Sequence, residues 1–307
     1  MEKPIDRDAE MPKMPINKTM DFDDLNSEPA RHIIRELNGL VREIRDKQLK
    51  ISSWYGKFDL SGDTNSFEWI NRGHDYKPIE GAADDRNFPW FLYWEIVWLV
   101  LNSNFDEHDR LLELGGSSSL FSYYMASKGL DVYTVDINED LVRNANHVAN
   151  VMGWKMQNHV MDMRNLHFAE KFDRITSICV YEHIPMYDRV AINSRIKDLL
   201  VQGGTFSVTF DYRNPSKFAR IKSPEDVYEQ FVKPSGLRVR GNQVFYDNGK
   251  NYLLHPFYFN KWSWSIKQSE ITAILAGNFS ALNFFKTKDY NDYTFGALFL
   301  EKPMPGI

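Results

Sequence analysis

The chain has 307 residues, 43% of them hydrophobic, with 37 basic against 42 acidic side chains and a formal net charge of −5. This is enough apolar material for one large domain with additions, while the lack of a long Lys/Arg block disfavours DNA or RNA as a partner. The single cysteine, Cys179, excludes an internal disulfide, and a polar first stretch together with no apolar run long enough for a bilayer predicts a cytoplasmic protein.

Residues 1–26 are rich in Pro, Lys, Asp and Met and show no apolar period, which predicts a flexible arm. Ser27 has the place of a helix N-cap, with Pro29 in the first turn. Ile33, Ile34, Leu37, Leu40, Val41 and Ile44 then recur at helical spacing. Such a helix either packs on a sheet or covers a ligand site. Residues 51–88 read as irregular; their aromatics Trp54, Tyr55 and Phe58 suit core packing first and ligand cover second. Asn87-Phe88-Pro89-Trp90 opens a helix whose stripe of Phe91, Trp94, Val97, Trp98 and Leu101 reads as core.

Regular strand–helix alternation comes next. Strands are predicted from Arg110 to Leu114, Asp131 to Val135, His159 to Met161, Arg174 to Val180 and Thr205 to Phe210. Helices are predicted from about Phe121 to Lys128, from the cap Asn138 to Met152, and from Tyr187 to Val201, ending at Gly129, Gly153 and Gly203-Gly204. This pattern gives a parallel sheet with helices on both faces. Glu113, Asp136, Asp162, His183 and Asp211 then gather at the carboxyl ends of its strands, where such sheets bind ligands. Further on, a helix from Pro224 to Val232, a small hairpin around Asp247-Asn248-Gly249 and a helix near Trp264 to Ala276 predict an insertion over about 212–280. Strands from Leu282 to Lys286 and from Thr294 to Leu300 close the chain as a hairpin. There is no internal repeat or low-complexity tract.

The most informative run is Leu111-Leu112-Glu113-Leu114-Gly115-Gly116-Ser117-Ser118-Ser119, answered by Val132-Tyr133-Thr134-Val135-Asp136. A strand ends in a small-residue turn that lets backbone approach a ligand, and a second strand ends in a carboxylate suited to ribose hydroxyls. The turn lacks the Gly-x-Gly-x-x-Gly of dinucleotide sites. Glu113, two residues before the first glycine, would repel a pyrophosphate but suits a cationic ligand. On these residues the chain resembles the class I S-adenosylmethionine-dependent methyltransferases, whose first motif is an acid followed by x-Gly-x-Gly-x-Gly. Glu113 and Gly115 match it, while Ser117 and Ser119 replace later glycines as in a small-molecule methyltransferase subgroup.

The resemblance implies a Rossmann-like α/β sheet, mostly parallel with an antiparallel C-terminal hairpin strand. It divides the chain into an arm (1–26), a helical extension or lid (27–85) and a methyltransferase domain (86–307) carrying the cap insertion. It implies S-adenosyl-L-methionine as cofactor. Glu113, Gly115, Gly116 and Ser117 would hold the methionine part, Asp136 the ribose and Ile137 the adenine. Asp162 would accept from the adenine amino group, Met163 would pack on the ring, and the backbone of Val180 and Tyr181 would border the adenosine.

Val180-Tyr181-Glu182-His183-Ile184-Pro185 is similar to the Glu-His-Ile/Val segment of small-molecule methyltransferases. It makes His183 the candidate general base, with an ordinary pKa of ~6.5; a purely structural hydrogen bond is the alternative. Glu182, His183 and Asp211 could approach one another, but no tight metal-ligand spacing appears, and a metal-free enzyme is expected. Cys179 reads as a buried thiol. His255, Trp262 and Trp264 suit a substrate pocket or a small core equally. The implied partner is a small-molecule acceptor, with a hydroxyl oxygen favoured because the Asn/Asp-Pro-Pro-Tyr signature of N-methyltransferases is absent. A nicotinamide oxidoreductase, a non-catalytic cofactor binder and an RNA methyltransferase are the other readings. The acceptor and the oligomeric state are left open.

Overall fold

In the computed structural model of the chain, the described residues are 15–54, 56–58, 87–214, 221–253, 275 and 292–304. The central sheet contains β2 (Arg110–Leu114), β3 (Asp131–Asp136), β4 (Met156–Val160), β5 (Phe172–Ile178), β6 (Leu200–Tyr212) and β9 (Asp292–Glu301), in the order 4-3-2-5-6-9. All pair in parallel except β9, which runs antiparallel to β6 from Thr205↔Glu301 to Tyr212↔Thr294. Three short strands cover the other edge of β9: β1 (Lys18–Thr19), β7 (Arg238–Val239) and β8 (Tyr252–Leu253). The inner strands are buried on both faces, as near-continuous apolar runs require.

One face carries α1 (Glu28–Asp46), α2 (Trp90–Asn102), α3 (Leu120–Ser127) and α4 (Glu139–Met152), whose apolar residues join one core. The opposite face carries α5 (Met186–Leu199) and a helical stretch made of Pro224–Val227, a π-turn at Tyr228–Val232 and Lys233–Ser235. Ser27 caps α1 through the Ala30 N–H, and the expected stripe from Ile33 to Ile44 is buried. The mostly parallel α/β sheet with an antiparallel last strand is the expected fold.

Several boundaries differ from the sequence reading. The expected arm ends earlier: residues 15–26 form β1 and a 3-10 turn (Phe22–Asn26), with Lys18, Met20 and Leu25 buried. The reason is non-local, since Lys18 and Thr19 pair with Ala297 and Gly296. β4 begins at Met156, because the left-handed Gly153 turns α4 directly into the strand, where Val132 N–H meets the Lys155 carbonyl at 2.9 Å. β6 begins at Leu200, with Gly203 at φ +74° inside it instead of separating helix from strand. Tyr55, His255, Trp262, Trp264, the helix near Trp264 to Ala276 apart from Leu275, and the strand from Leu282 to Lys286 lie outside the described residues. Among the described residues, no helix is long and apolar enough to cross a membrane.

Candidate functional site

β2 lies between β3 and β5, and the chain leaves β2 toward one side of the sheet and β5 toward the other. At such a reversal the strand ends cannot be covered by the same connections, and a crevice opens. Here it is a cleft of about 440 Å³, walled by the Gly115–Ser119 turn, Asp136 to Asn138, Ile178 to Val180, and Ser52 to Trp54.

Space dictates the two glycines. Gly115 has φ +81°, and a Cβ there would lie 2.7 Å from both γ carbons of Val180. A Cβ on Gly116 would lie 2.1 Å from the Glu113 carboxyl. The serines satisfy the polar groups of the turn. Ser117 Oγ meets Thr134 Oγ1 at 2.6 Å, and Ser119 Oγ accepts from the Ser122 N–H at 3.0 Å to cap α3. Ser118, at φ +63°, donates from Oγ to the Leu141 carbonyl at 2.7 Å. Its own carbonyl accepts from the Ser52 N–H at 2.9 Å and Ser52 Oγ at 3.0 Å, which stitches the segment after α1 over the turn.

Glu113 is buried beneath this turn, with both carboxylate oxygens 3.4 Å from Ser119 Oγ. Burial pushes its pKa up to about 8; Ser122 and Ser119 oppose that shift and Asp136 adds to it. A cationic ligand beside Glu113 would reverse the shift. Across the cleft, Asp136 Oδ1 accepts from the Asn138 N–H at 2.9 Å. Burial raises its pKa too, and the N–H groups of Asn138, Ser117 and Ile137 pull it back. Ile137 is 76% exposed at the rim, a large apolar surface beside a carboxylate. His183 ends a 3-10 turn (Tyr181–His183); its side chain also lines the cleft, and Nε2 is 3.9 Å from Glu182 Oε1.

Of the expected site residues, Glu113, Gly115, Gly116, Ser117, Asp136, Ile137, Val180 and His183 are brought together around this cleft. Asp162, Met163 and Tyr181 are not among its lining residues. Asp162 caps the turn Met163–Asn165 and binds Arg164 Nε at 2.9 Å and Nη2 at 2.5 Å, which lowers the pKa of its carboxyl. Met163 is buried in the core on the other face of the sheet. Tyr181 is wholly buried, packed against Phe206 and Phe231 at 6.1 and 5.4 Å. Trp54 packs edge-on against Phe91 at 5.0 Å and also lines the cleft.

The sequence reading passed over Ser52, Ser53, Leu92 and Leu141, which line the cleft, and took Cys179 as a buried thiol, whereas it is half-buried and lines the cleft too. It also passed over Glu95, which is wholly buried. Glu95 Oε1 accepts from Cys179 Sγ at 2.5 Å and from Thr209 Oγ1 at 2.7 Å, and burial lifts its pKa to about 8. The visible signal was a single carboxylate inside an otherwise apolar helix. Cys179 itself sits at φ +49°, a conformation that costs about 1–3 kcal/mol unless its surroundings hold it. Cys179, Glu182 and Asp211 place a thiol and two carboxylates within 4.8 Å of one another, a set that includes Cys179 where His183 was expected.

Residues 111–204 match a family model described as a methyltransferase domain. Among curated proteins, the chain is 28% identical over 141 residues to the ubiquinone biosynthesis O-methyltransferase of Xanthomonas campestris pv. campestris (strain B100), covering 42% of this chain and 58% of that protein. The same identity and coverage relate it to the ubiquinone biosynthesis O-methyltransferase of Xanthomonas axonopodis pv. citri (strain 306). The chain thus spans 58% of the length of these curated relatives. Among solved structures, phosphoethanolamine N-methyltransferase 2 of Haemonchus contortus in complex with S-adenosyl-L-methionine aligns over 78% of this chain and 56% of its own, at 16% identity and a TM-score of 0.47.

Proposed function

We propose, from the match of residues 111–204 to a methyltransferase domain model and from the geometry of the cleft, that this chain uses S-adenosylmethionine to transfer a methyl group to a hydroxyl oxygen of a small molecule. The observation that carries the reading is the pairing of a buried Glu113 with a two-glycine turn that has no room for a Cβ, facing Asp136 across one cleft. A positively charged ligand with a ribose fits those acceptors. The names of the Xanthomonas relatives support oxygen as the acceptor atom.

When bound, S-adenosylmethionine supplies an electrophilic methyl group on a charged sulfur. Glu113 would offset the positive charge of the bound group, and Asp136 would accept from its ribose hydroxyls. Ile137 and Val180, both on the cleft wall, would offer apolar surface to its base. The protein chiefly aligns the two reactants and keeps water away, which is the larger part of such catalysis. His183 takes the acceptor's hydroxyl proton on its imidazole, and Glu182, 3.9 Å from Nε2, favours the resulting cation. The Ser52–Ser118 bonds support the segment after α1 as a cover over the cofactor side.

The experiment is a labelled-methyl transfer assay on extracted small molecules, run beside calorimetry with S-adenosylhomocysteine. His183→Ala is expected to lower turnover by about 10²–10⁴ with the cofactor affinity nearly intact. Full activity in that variant removes His183 as the base, and no heat with either form of the cofactor removes the whole reading.

A further inference from the structure

We propose that Glu95 is a positioning residue for the methyl-transfer site: its carboxyl ties Cys179 to Thr209 and so holds the turn that sets Val180 against Gly115 and presents His183 to the cleft. The proposal rests on the methyl-transfer reading of this cleft.

α2 reads Trp-Phe-Leu-Tyr-Trp-Glu-Ile-Val-Trp-Leu-Val-Leu-Asn, and Glu95 is its one charged side chain. The position is wholly buried. An apolar residue would fill it without the desolvation that a carboxyl suffers, so packing alone does not account for Glu95. Its contacts do. Oε1 receives both the Cys179 thiol at 2.5 Å and the Thr209 hydroxyl at 2.7 Å. The Cys179 backbone N–H reaches the Thr209 carbonyl at 3.2 Å. Cys179 is therefore tied by backbone and side chain to one Glu95–Thr209 unit, at the place where its φ of +49° needs holding.

The residues immediately after Cys179 build the cleft wall. Val180 presses on the one face of Gly115 that has no Cβ, and its carbonyl accepts the His183 N–H at 3.0 Å. Glu95 does not line the cleft, whereas Leu92, one turn before it on α2, and Cys179 both do. Glu95 thus acts through its neighbours and touches no reactant. The groups around it are Cys179, Thr209, Asp211 and Trp54, and Glu182 lies close to the Cys179 thiol.

The sole cysteine makes the test clean, because iodoacetamide can report only on Cys179. In the full-length chain, Glu95→Leu is expected to melt no lower than the parent. It should nevertheless bind S-adenosylhomocysteine at least about tenfold more weakly and alkylate at least about tenfold faster. Glu95→Gln keeps an acceptor oxygen and should stay within about threefold of the parent in both measurements. Thr209→Val removes one of the two bonds while keeping Glu95, and should speed alkylation by at least about threefold, which keeps the test open if Glu95→Leu does not fold. Parental affinity and alkylation in Glu95→Leu, or in Thr209→Val where only that variant folds, overturns the proposal. So does a common fall of melting temperature, affinity and protection in Glu95→Leu and Glu95→Gln alike, which would mark a purely structural carboxyl. If the parent binds no S-adenosylhomocysteine while Glu95→Leu still alkylates faster, the methyl-transfer reading fails and the clamp stands.

Discussion

Val180 closes on Gly115 so tightly that a single added carbon on the glycine would meet both of its γ carbons at 2.7 Å. The end of β5 and the turn after β2 are therefore one packed unit, and the width of the cleft between them is set by two residues far apart in sequence. Gly115→Ala should bring that clash together with the strain of φ +81°, at a cost of about 1–3 kcal/mol. A lower melting temperature and loss of S-adenosylhomocysteine binding, by calorimetry, are expected. An alanine variant that melts and binds like the parent would show that the turn has more slack than its geometry indicates.

Glu113 gives cofactor binding a pH signature. Burial holds its pKa at about 8, so below that pH the cleft carries a proton that a cationic ligand must displace. Affinity for S-adenosylmethionine should rise with pH up to about 8 and level off above it, with proton release on binding in the lower range. Calorimetry in two buffers of different ionisation enthalpy measures that release, and Glu113→Gln should abolish it.

Stability should depend on the same two buried carboxyls. Glu95 and Glu113 ordinarily titrate near 4.5 and are both lifted to about 8 in the folded chain. The folded state then binds more protons than the unfolded state between those values. Their contribution is fully present below about 4.5 and is lost as pH rises through about 8. Thermal melts from pH 5 to 9 should show a decline that Glu95→Gln and Glu113→Gln each make shallower.

Asp136 ends β3 and Asp162 follows β4, yet they should respond differently to alanine. Asp136 faces the cleft, and removing a carboxylate that hydrogen-bonds a ligand costs ~1.5–3 kcal/mol, so affinity should fall more than about tenfold. Asp162 is occupied by Arg164, and its loss should change affinity by less than about threefold. Titration of the two variants with S-adenosylhomocysteine separates these outcomes. A large loss in Asp162→Ala would mean that Arg164 gives way to the adenine.

The β2–α3–β3 unit was legible because each of its signals is local. An apolar run, a small-residue turn and a strand ending in Asp136 lie within one short stretch. Glu95 was not legible as part of the site because its partners come from distant places, Cys179 from just past the end of β5 and Thr209 from β6; in sequence it only interrupts a hydrophobic segment. Asp162 shows the reverse failure. The place of an acid after a strand suggests a ligand, but an arginine two residues on was already there to take it. Likewise, the low apolar content of residues 15–26 hid β1, whose pairing depends on a strand near the other end of the chain.

The outer margin of β9 is guarded piecemeal: Tyr252 and Leu253 meet its start, Lys18 and Thr19 its middle, Arg238 and Val239 its end. A version of the chain shortened past Met20 would leave the peptide groups of Gly296 and Ala297 bare. Open backbone of that kind invites a strand from another molecule, so the opening residues act as a guard against self-association.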